Sequence, residues 1–303
     1  MAKTRKSGTR FGDWLSDRIL RGLIGLALAL PYATRVRLMG WITARIIAPL
    51  AGYDARVRAN LAHVMPDLPE AEVRRLVRQV TVIEIYSGQQ FIDRIKDLPL
   101  KGAGVAALEQ ARADKRPAVL VSGHFGNFDV PRAALTGRGY PIGSLYNPMK
   151  NVFFNAHYEK AIATMGEPLF PRGRKGYGQM LRFLKGGGMI GIMVDQFMGH
   201  GAPLNFFGQP APTALSAAEL ALKYDALLIP IYGVRQPDGL NFEIVVESPI
   251  PHSDAMTMTQ ALNDSLEAQT RKHMEQWFWV HRRWKPARQA RMAEERSRAG
   301  RGE

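Results

Sequence analysis

An α/β fold, with a mostly parallel central sheet flanked by helices and an N-terminal membrane-associating helical segment, is what the sequence predicts, on three observations. Short runs rich in Val, Ile and Leu alternate with stretches of helical period from about residue 117 onward. The turn "QPDG" (236–239) joins the last two such runs as a hairpin, which adds one antiparallel edge to the sheet. The first fifty residues are apolar segments repeatedly broken by arginine. With 303 residues and 46% hydrophobic content, the chain can bury one large core.

The chain opens with the basic stretch "MAKTRKSGTR". The apolar region that follows, to Gly52, is interrupted by Arg21, Arg35, Arg37 and Arg45, so no window reaches the ~18 uninterrupted apolar residues of a spanning helix. It also continues past Pro31 with no small-x-small cleavage site, a poor fit to a secretory signal. Two helices divided near Pro31 are expected, either lying in a lipid interface with arginines reaching phosphates or packed as a buried pair on the main domain. "DLPEAEVRRLVRQVTVIEIYSGQQFIDRI" (67–95) keeps Val73, Leu76, Val80, Ile83 and Ile85 near helical spacing, behind a cap at Asp67 or Pro69, and predicts a helix. Strands are expected at 117–122, 140–146, 189–195, 226–235 and 241–250, with helices at "GYGQMLRFLK" (176–185) and "ALSAAELALKY" (214–224) among the intervening segments. No repeat or linker divides residues 60–285. The organisation is therefore a basic N-terminus with membrane-associating helices (1–52), an α/β domain (53–286) and a basic tail (287–303).

The chain has no cysteine, so disulfides, thiolate metal sites and a cysteine nucleophile are excluded. A formal charge of +14 calls for an anionic partner: nucleic acid, an acidic protein or a phosphate-bearing membrane surface. "GHFGNFDV" (123–130) carries the clearest chemistry, because His124 stands at the carboxyl end of an apolar strand, where open α/β sheets place their sites. In one continuous helix, five residues at ~3.6 per turn would point Asp129 away from His124. The two can meet only if His124 lies in the loop and Asp129 in the first turn of the next helix, with Gly123 and Gly126 allowing the bend. An aspartate on one ring nitrogen would fix the tautomer and leave the other to take a proton. The alternative is a capping aspartate beside an ordinary loop histidine. G-x-S-x-G, G-x-x-x-x-G-K-[ST] and H-E-x-x-H motifs are absent from the sequence, and "GRKGYG" (173–178) lacks a dinucleotide fingerprint.

"SGHFGNFD", "PRGRKGYGQMLRFLKGGGMIGIMVDQ", "NFFGQPAPTALSAAELALKYDALLIPIYGVRQPDG" and "EQWFWVHRRWK", in that order, resemble the bacterial lipid A biosynthesis (lauroyl or myristoyl) acyltransferases of the lysophospholipid acyltransferase superfamily, over roughly residues 12–286. The resemblance implies an enzyme at the cytoplasmic face of the inner membrane that moves an acyl chain from acyl carrier protein to a hydroxyl of a lipid A precursor. His124 would be the general base and Asp129 its orienting partner, where many close members carry glutamate. Arg172 and Arg174 match an arginine-bearing block and would hold phosphate through forked hydrogen bonds, unless they are a solvated charge run. Asp195 would bind substrate or pair with one of those arginines. Phe206, Phe207 and Gly208 would line the acyl groove, with ordinary loop packing the alternative. Direct attack by the acceptor hydroxyl needs no acyl-enzyme, and oxyanion donors are expected among backbone N–H groups near Gly123–Asn127. Neither metal nor organic cofactor is implied. Trp277, Trp279 and Trp284 beside Arg282 and Arg283 suit a lipid headgroup region. The same composition would suit a basic nucleic-acid-binding protein without catalytic activity, which leaves H-x4-D without a role, so no nucleic acid is expected; an acyltransferase acting on another glycolipid or lysophospholipid is the other alternative.

Overall fold

The computed structural model describes residues 7–77, 84–286, 289 and 291. The first six residues, most of the 287–303 tail, and Val80 and Ile83 of the expected 67–95 helix lie outside them. In chain order come α1 (Ser7–Leu28), α2 (Tyr32–Ile42), a π-helical turn (Thr43–Ile47), α3 (Ala48–Leu50), α4 (Tyr53–Val64), α5 (Glu70–Val77), a 3-10 turn (Glu84–Ser87) and α6 (Gln89–Ile95). Then follow β1 (Leu100–Lys101), α7 (Val105–Ala113), β2 (Ala118–Ser122), α8 (Asp129–Gly137), β3 (Ile142–Tyr146), α9 (Val152–Ala163), β4 (Leu169–Pro171), α10 (Arg174–Lys185) and β5 (Met189–Met193). After these come a hairpin of β6 (Ala202–Phe206) and β7 (Gln209–Thr213), α11 (Ser216–Tyr224), β8 (Leu227–Arg235), β9 (Phe242–Val246), α12 (Ala255–Lys272) and a 3-10 turn (Met274–Gln276).

The run "AVLVS" has no polar face, and it becomes the central strand β2, buried at every position. Ala118 and Leu120 face one apolar layer, with Val130, Ala133 and Ala134 of α8; Val119 and Val121 face the other, with Leu184, Ala217 and Leu262. The sheet order is β1-β9-β8-β2-β5-β3-β4, parallel throughout except for the β8–β9 pair, the expected hairpin. Ser122 of β2 stands opposite Met193 of β5. Two strands ending level in parallel register put the second residue beyond each, His124 and Asp195, side by side. That register builds the site.

The 67–95 segment is not one helix. α5, the 3-10 turn and α6 divide it, and Gly88, at φ 54°, sets the last break before α6. The final strand stops at Val246, short of the expected 250. β6 and β7 went unforeseen because Pro203, Pro210 and Pro212 argue against strands; they pair only with each other, outside the main sheet, where missing donors are tolerated. Their two-residue loop, Phe207-Gly208, has positive φ at both positions, as a primed hairpin turn requires.

α1 and α2 divide at Pro31 as expected, with one side packed on the main domain and the other exposed. Ala27, Tyr32 and Val36 join the main core. Asn151, ahead of α9, donates to the Asp13 carbonyl at 2.7 Å and ties α1 down. The outer side leaves Phe11, Leu23, Leu26, Trp41 and Leu50 exposed, Leu26 at 71% and Leu50 at 85%. Among the described residues, no helix is long and apolar enough to cross a membrane.

Candidate active site

His124 leaves β2 through a loop whose two glycines have different causes. Gly126 has φ 55°, and a Cβ there would stand 2.1 Å from the Gly233 carbonyl oxygen. Gly123 needs no unusual φ; a Cβ there would meet Leu266 at 2.6 Å. Close packing, rather than the freedom to bend, therefore selects the first. The loop's own polar groups are used up locally. The N–H groups of Phe125, Gly126 and Asn127 donate to the carbonyls of Gly123, Gln276 and Gly233, and that of His124 donates to Asp195 Oδ2 at 2.7 Å. Of the N–H groups from Gly123 to Asn127 expected to offer an oxyanion hole, those of His124 to Asn127 are engaged within the fold.

The imidazole Nδ1 of His124 lies 2.8 Å from Oδ1 of Asp195. Trp277 Nε1–H donates to Oδ2 of the same carboxylate at 3.0 Å. Burial pushes the Asp195 pKa up, but the charge and hydrogen bonds of His124 hold it well below the usual carboxylate range. Burial likewise disfavours the His124 imidazolium, yet Asp195, by charge and hydrogen bond, and Asp129, by charge, raise its pKa. Nδ1–H therefore faces a fixed anion, and Nε2 is the nitrogen left to take a proton. The ring of His281 stands edge-on to His124, centroids 4.2 Å apart, and burial with the charge of His124 pushes it down to about 4, so it is neutral near pH 7.

Asp129 does not hold the His124 ring. It begins α8, and its carboxylate turns one helical turn ahead to Arg132, 3.1 Å away. Arg132 is buried and also donates to Ser144 Oγ and to the carbonyls of Ile162 and Gly166. The β2–β5 register had already supplied His124 with Asp195. Asp195 in turn pairs with neither Arg172 nor Arg174, one of the two roles expected of it; its partners are His124 and Trp277. Those two are exposed where β4 meets α10, on the carboxyl side of the sheet but at its far edge, with β3 and β5 between them and β2.

His124 and Asp129 line a cavity of about 770 Å³, together with Phe128 and Phe278, with Val36, Arg37 and Gly40 of α2, and with the turn 236–239. Phe206, Phe207 and Gly208 are not among its walls. Phe206 and Phe207 are buried in an aromatic cluster with Trp277, Trp279 and Trp284, and Gly208 makes the β6–β7 turn. The expectation that these tryptophans face lipid headgroups is corrected by the same burial, and Arg283 is buried with them, bonded to the Pro212 carbonyl and Thr213 Oγ1. Buried as they are, these three rings offer nucleobases no platform to stack on. His124, Asp195 and His281 bring ligand-type atoms within 4.8 Å of one another, the one such group among the described residues. Both Asp195 oxygens already accept N–H donors, from His124 and Trp277.

The partnership of Asp195 with His124 was open to sequence reasoning through equal strand lengths and parallel register. Trp277 and Arg132 carried no such signal, since each is recruited from a distant or differently read segment. The bacterial lipid A biosynthesis acyltransferase family matches residues 3–286. A lipid A biosynthesis lauroyltransferase of Escherichia coli (strain K12) is 25% identical over 280 residues, covering 87% of this chain and 89% of its own. A lipid A biosynthesis acyltransferase of Haemophilus influenzae is 22% identical over 280 residues, covering 89% and 86%. A phosphatidylinositol mannoside acyltransferase of Mycobacterium tuberculosis is 23% identical over 185 residues, covering 60% and 58%. A histidine locked to a buried carboxylate on the wall of a large cavity is thus set in a chain matched almost end to end, and the protein belongs to the bacterial lipid A biosynthesis acyltransferases.

Proposed function

We propose that this acyltransferase moves a fatty acyl chain from acyl carrier protein directly onto a hydroxyl of a lipid A precursor, with His124 as general base and Asp195 as its orienting acid. The observation that carries the reading is the 2.8 Å contact of His124 Nδ1 with a fully buried carboxylate, which leaves Nε2 as the proton acceptor on the wall of a large cavity. Nε2 takes the hydroxyl proton as the oxygen attacks the thioester carbonyl. The tetrahedral oxyanion collapses, the carbon–sulfur bond breaks, and the imidazolium returns its proton to the departing thiolate. Asn127 lines the same cavity; its Oδ1 accepts from the Asp129 N–H, which fixes the amide and makes Nδ2 a candidate donor to the oxyanion.

The exposed apolar side of α1 to α3 supports attachment to the cytoplasmic face of the inner membrane, and because α2 also walls the cavity, a lipid acceptor would reach His124 from that surface. The basic surface supports steering of an acidic carrier. The test is mass spectrometry of lipid A from a strain lacking the protein, complemented by wild type or by His124→Ala. Restoration of one acyl chain by the wild type alone is expected. Restoration by both removes His124 from the chemistry, and an altered glycolipid other than lipid A redirects the acceptor.

A further inference from the structure

The segment "EQWFWVHRRWK" (275–285) has the composition of an interfacial belt, yet Trp277 and Trp279 are each only 2% exposed, and the mechanism uses neither. Their rings meet edge to face, centroids 4.7 Å apart. Their N–H groups differ. Trp279 donates to the Met274 carbonyl at 2.7 Å, within its own turn, whereas Trp277 donates across the fold to Asp195 Oδ2.

The backbone around Trp277 is laid along the loop that carries His124. Phe125 and Trp277 pair as an antiparallel bridge, the Gly126 N–H donates to the Gln276 carbonyl at 2.8 Å, and the Phe278 N–H donates to the His124 carbonyl at 2.9 Å. Asp195 receives three donors, and two of them belong to His124 itself, so they move with the residue they would have to steady. Trp277 is the outside reference. It is seated in the aromatic core, its ring centroid 5.4 Å from Phe206 and 5.8 Å from Trp284.

We propose that Trp277 is a positioning residue for the catalytic pair: its indole N–H, bonded to Oδ2, fixes the rotation of the Asp195 carboxylate and with it the Oδ1 contact to His124. Trp277→Phe keeps an aromatic ring, smaller than the indole, and removes the donor. Trp279→Phe makes the same change in the same cluster without touching Asp195. The other ionisable groups facing the pair, Asp129 on α8, Tyr232 on β8, and His281 and Arg283 on the C-terminal segment, are common to both variants.

Trp277→Phe is expected to lower kcat about tenfold with KM within about twofold of wild type, the signature of lost alignment in the transition state. In nuclear magnetic resonance spectra, the downfield Nδ1–H proton of His124 is expected in wild type and Trp279→Phe, and to broaden or vanish in Trp277→Phe. Wild-type kcat and an intact Nδ1–H signal in Trp277→Phe overturn the proposal, as does an equal loss in Trp279→Phe. Should Trp277→Phe fail to fold, the wild-type protein decides: the Trp277 indole resonance shifts through the titration of His124, and one indifferent to it overturns the proposal. The inference rests on His124 as the base. Full activity in His124→Ala would sink that reading alone, because the resonance signatures report the contact without substrate.

Discussion

Two aspartates compete for one histidine, and distance decides between them. Asp195 is fully buried and hydrogen-bonded to Nδ1, whereas Asp129 faces the cavity from Arg132. Losing the anion that holds the tautomer disturbs the base at every turnover, so Asp195→Asn is expected to cost on the order of 10³–10⁴ in kcat, as in other histidine–aspartate pairs. Asp129→Asn should cost at least tenfold less, and the reverse ranking in steady-state kinetics would return the orienting role to Asp129. His124→Ala should lose at least ~10². Protonation gives the next test. A base works only while neutral, and the pKa of His124 is raised above its ordinary value, so kcat/KM is expected to fall as pH drops through that raised value. A profile flat from neutrality down past the ordinary histidine range would contradict the pairing.

At the scale of elements, the loop between β2 and α8 is held by neighbours on every side. Gly126→Ala must relieve both a positive φ and a Cβ 2.1 Å from the Gly233 oxygen, and should cost about 1–3 kcal/mol or more in denaturant unfolding. An unfolding midpoint equal to wild type would mean the loop is looser than it stands. The principal strands were legible because their apolar runs allow little else, and the position of His124 followed from the end of "AVLVS". The proline-bearing hairpin was hidden by residues that argue against strands. Nor could the partner of His124 be read from the H-x4-D spacing: local spacing reports what a helix turn can bring together, whereas Asp195 arrives through pairing between strands 71 residues apart. The tryptophans misled for a related reason. Composition sets which environments a side chain tolerates, and the β6–β7 hairpin supplied an apolar one inside the fold.

For the molecule as a whole, the exposed apolar rank on α1 to α3 makes a quantitative expectation possible. Replacing Leu26, Trp41 and Leu50 by glutamate should shift the protein from the membrane pellet to the supernatant and weaken binding to anionic vesicles, with thermal stability little changed because all three are exposed. Undiminished pelleting of a folded triple variant would assign attachment elsewhere. Arg172 and Arg174, exposed at the far sheet edge, should act by charge alone, so lysine at both should keep kcat/KM near wild type while glutamate at both raises KM for an acidic carrier. A clear defect in the lysine variant would establish forked contacts. The cavity draws on Val36 and Arg37 near one end of the chain and on Trp277 and Phe278 near the other, and the Asn60 amide reaches the carbonyls of Trp279 and His281. Synthesis proceeds from the N-terminus, so α1 to α3 emerge from the ribosome more than two hundred residues before the indole and backbone that complete the histidine's setting. The nascent chain therefore displays its exposed apolar helices long before it can react.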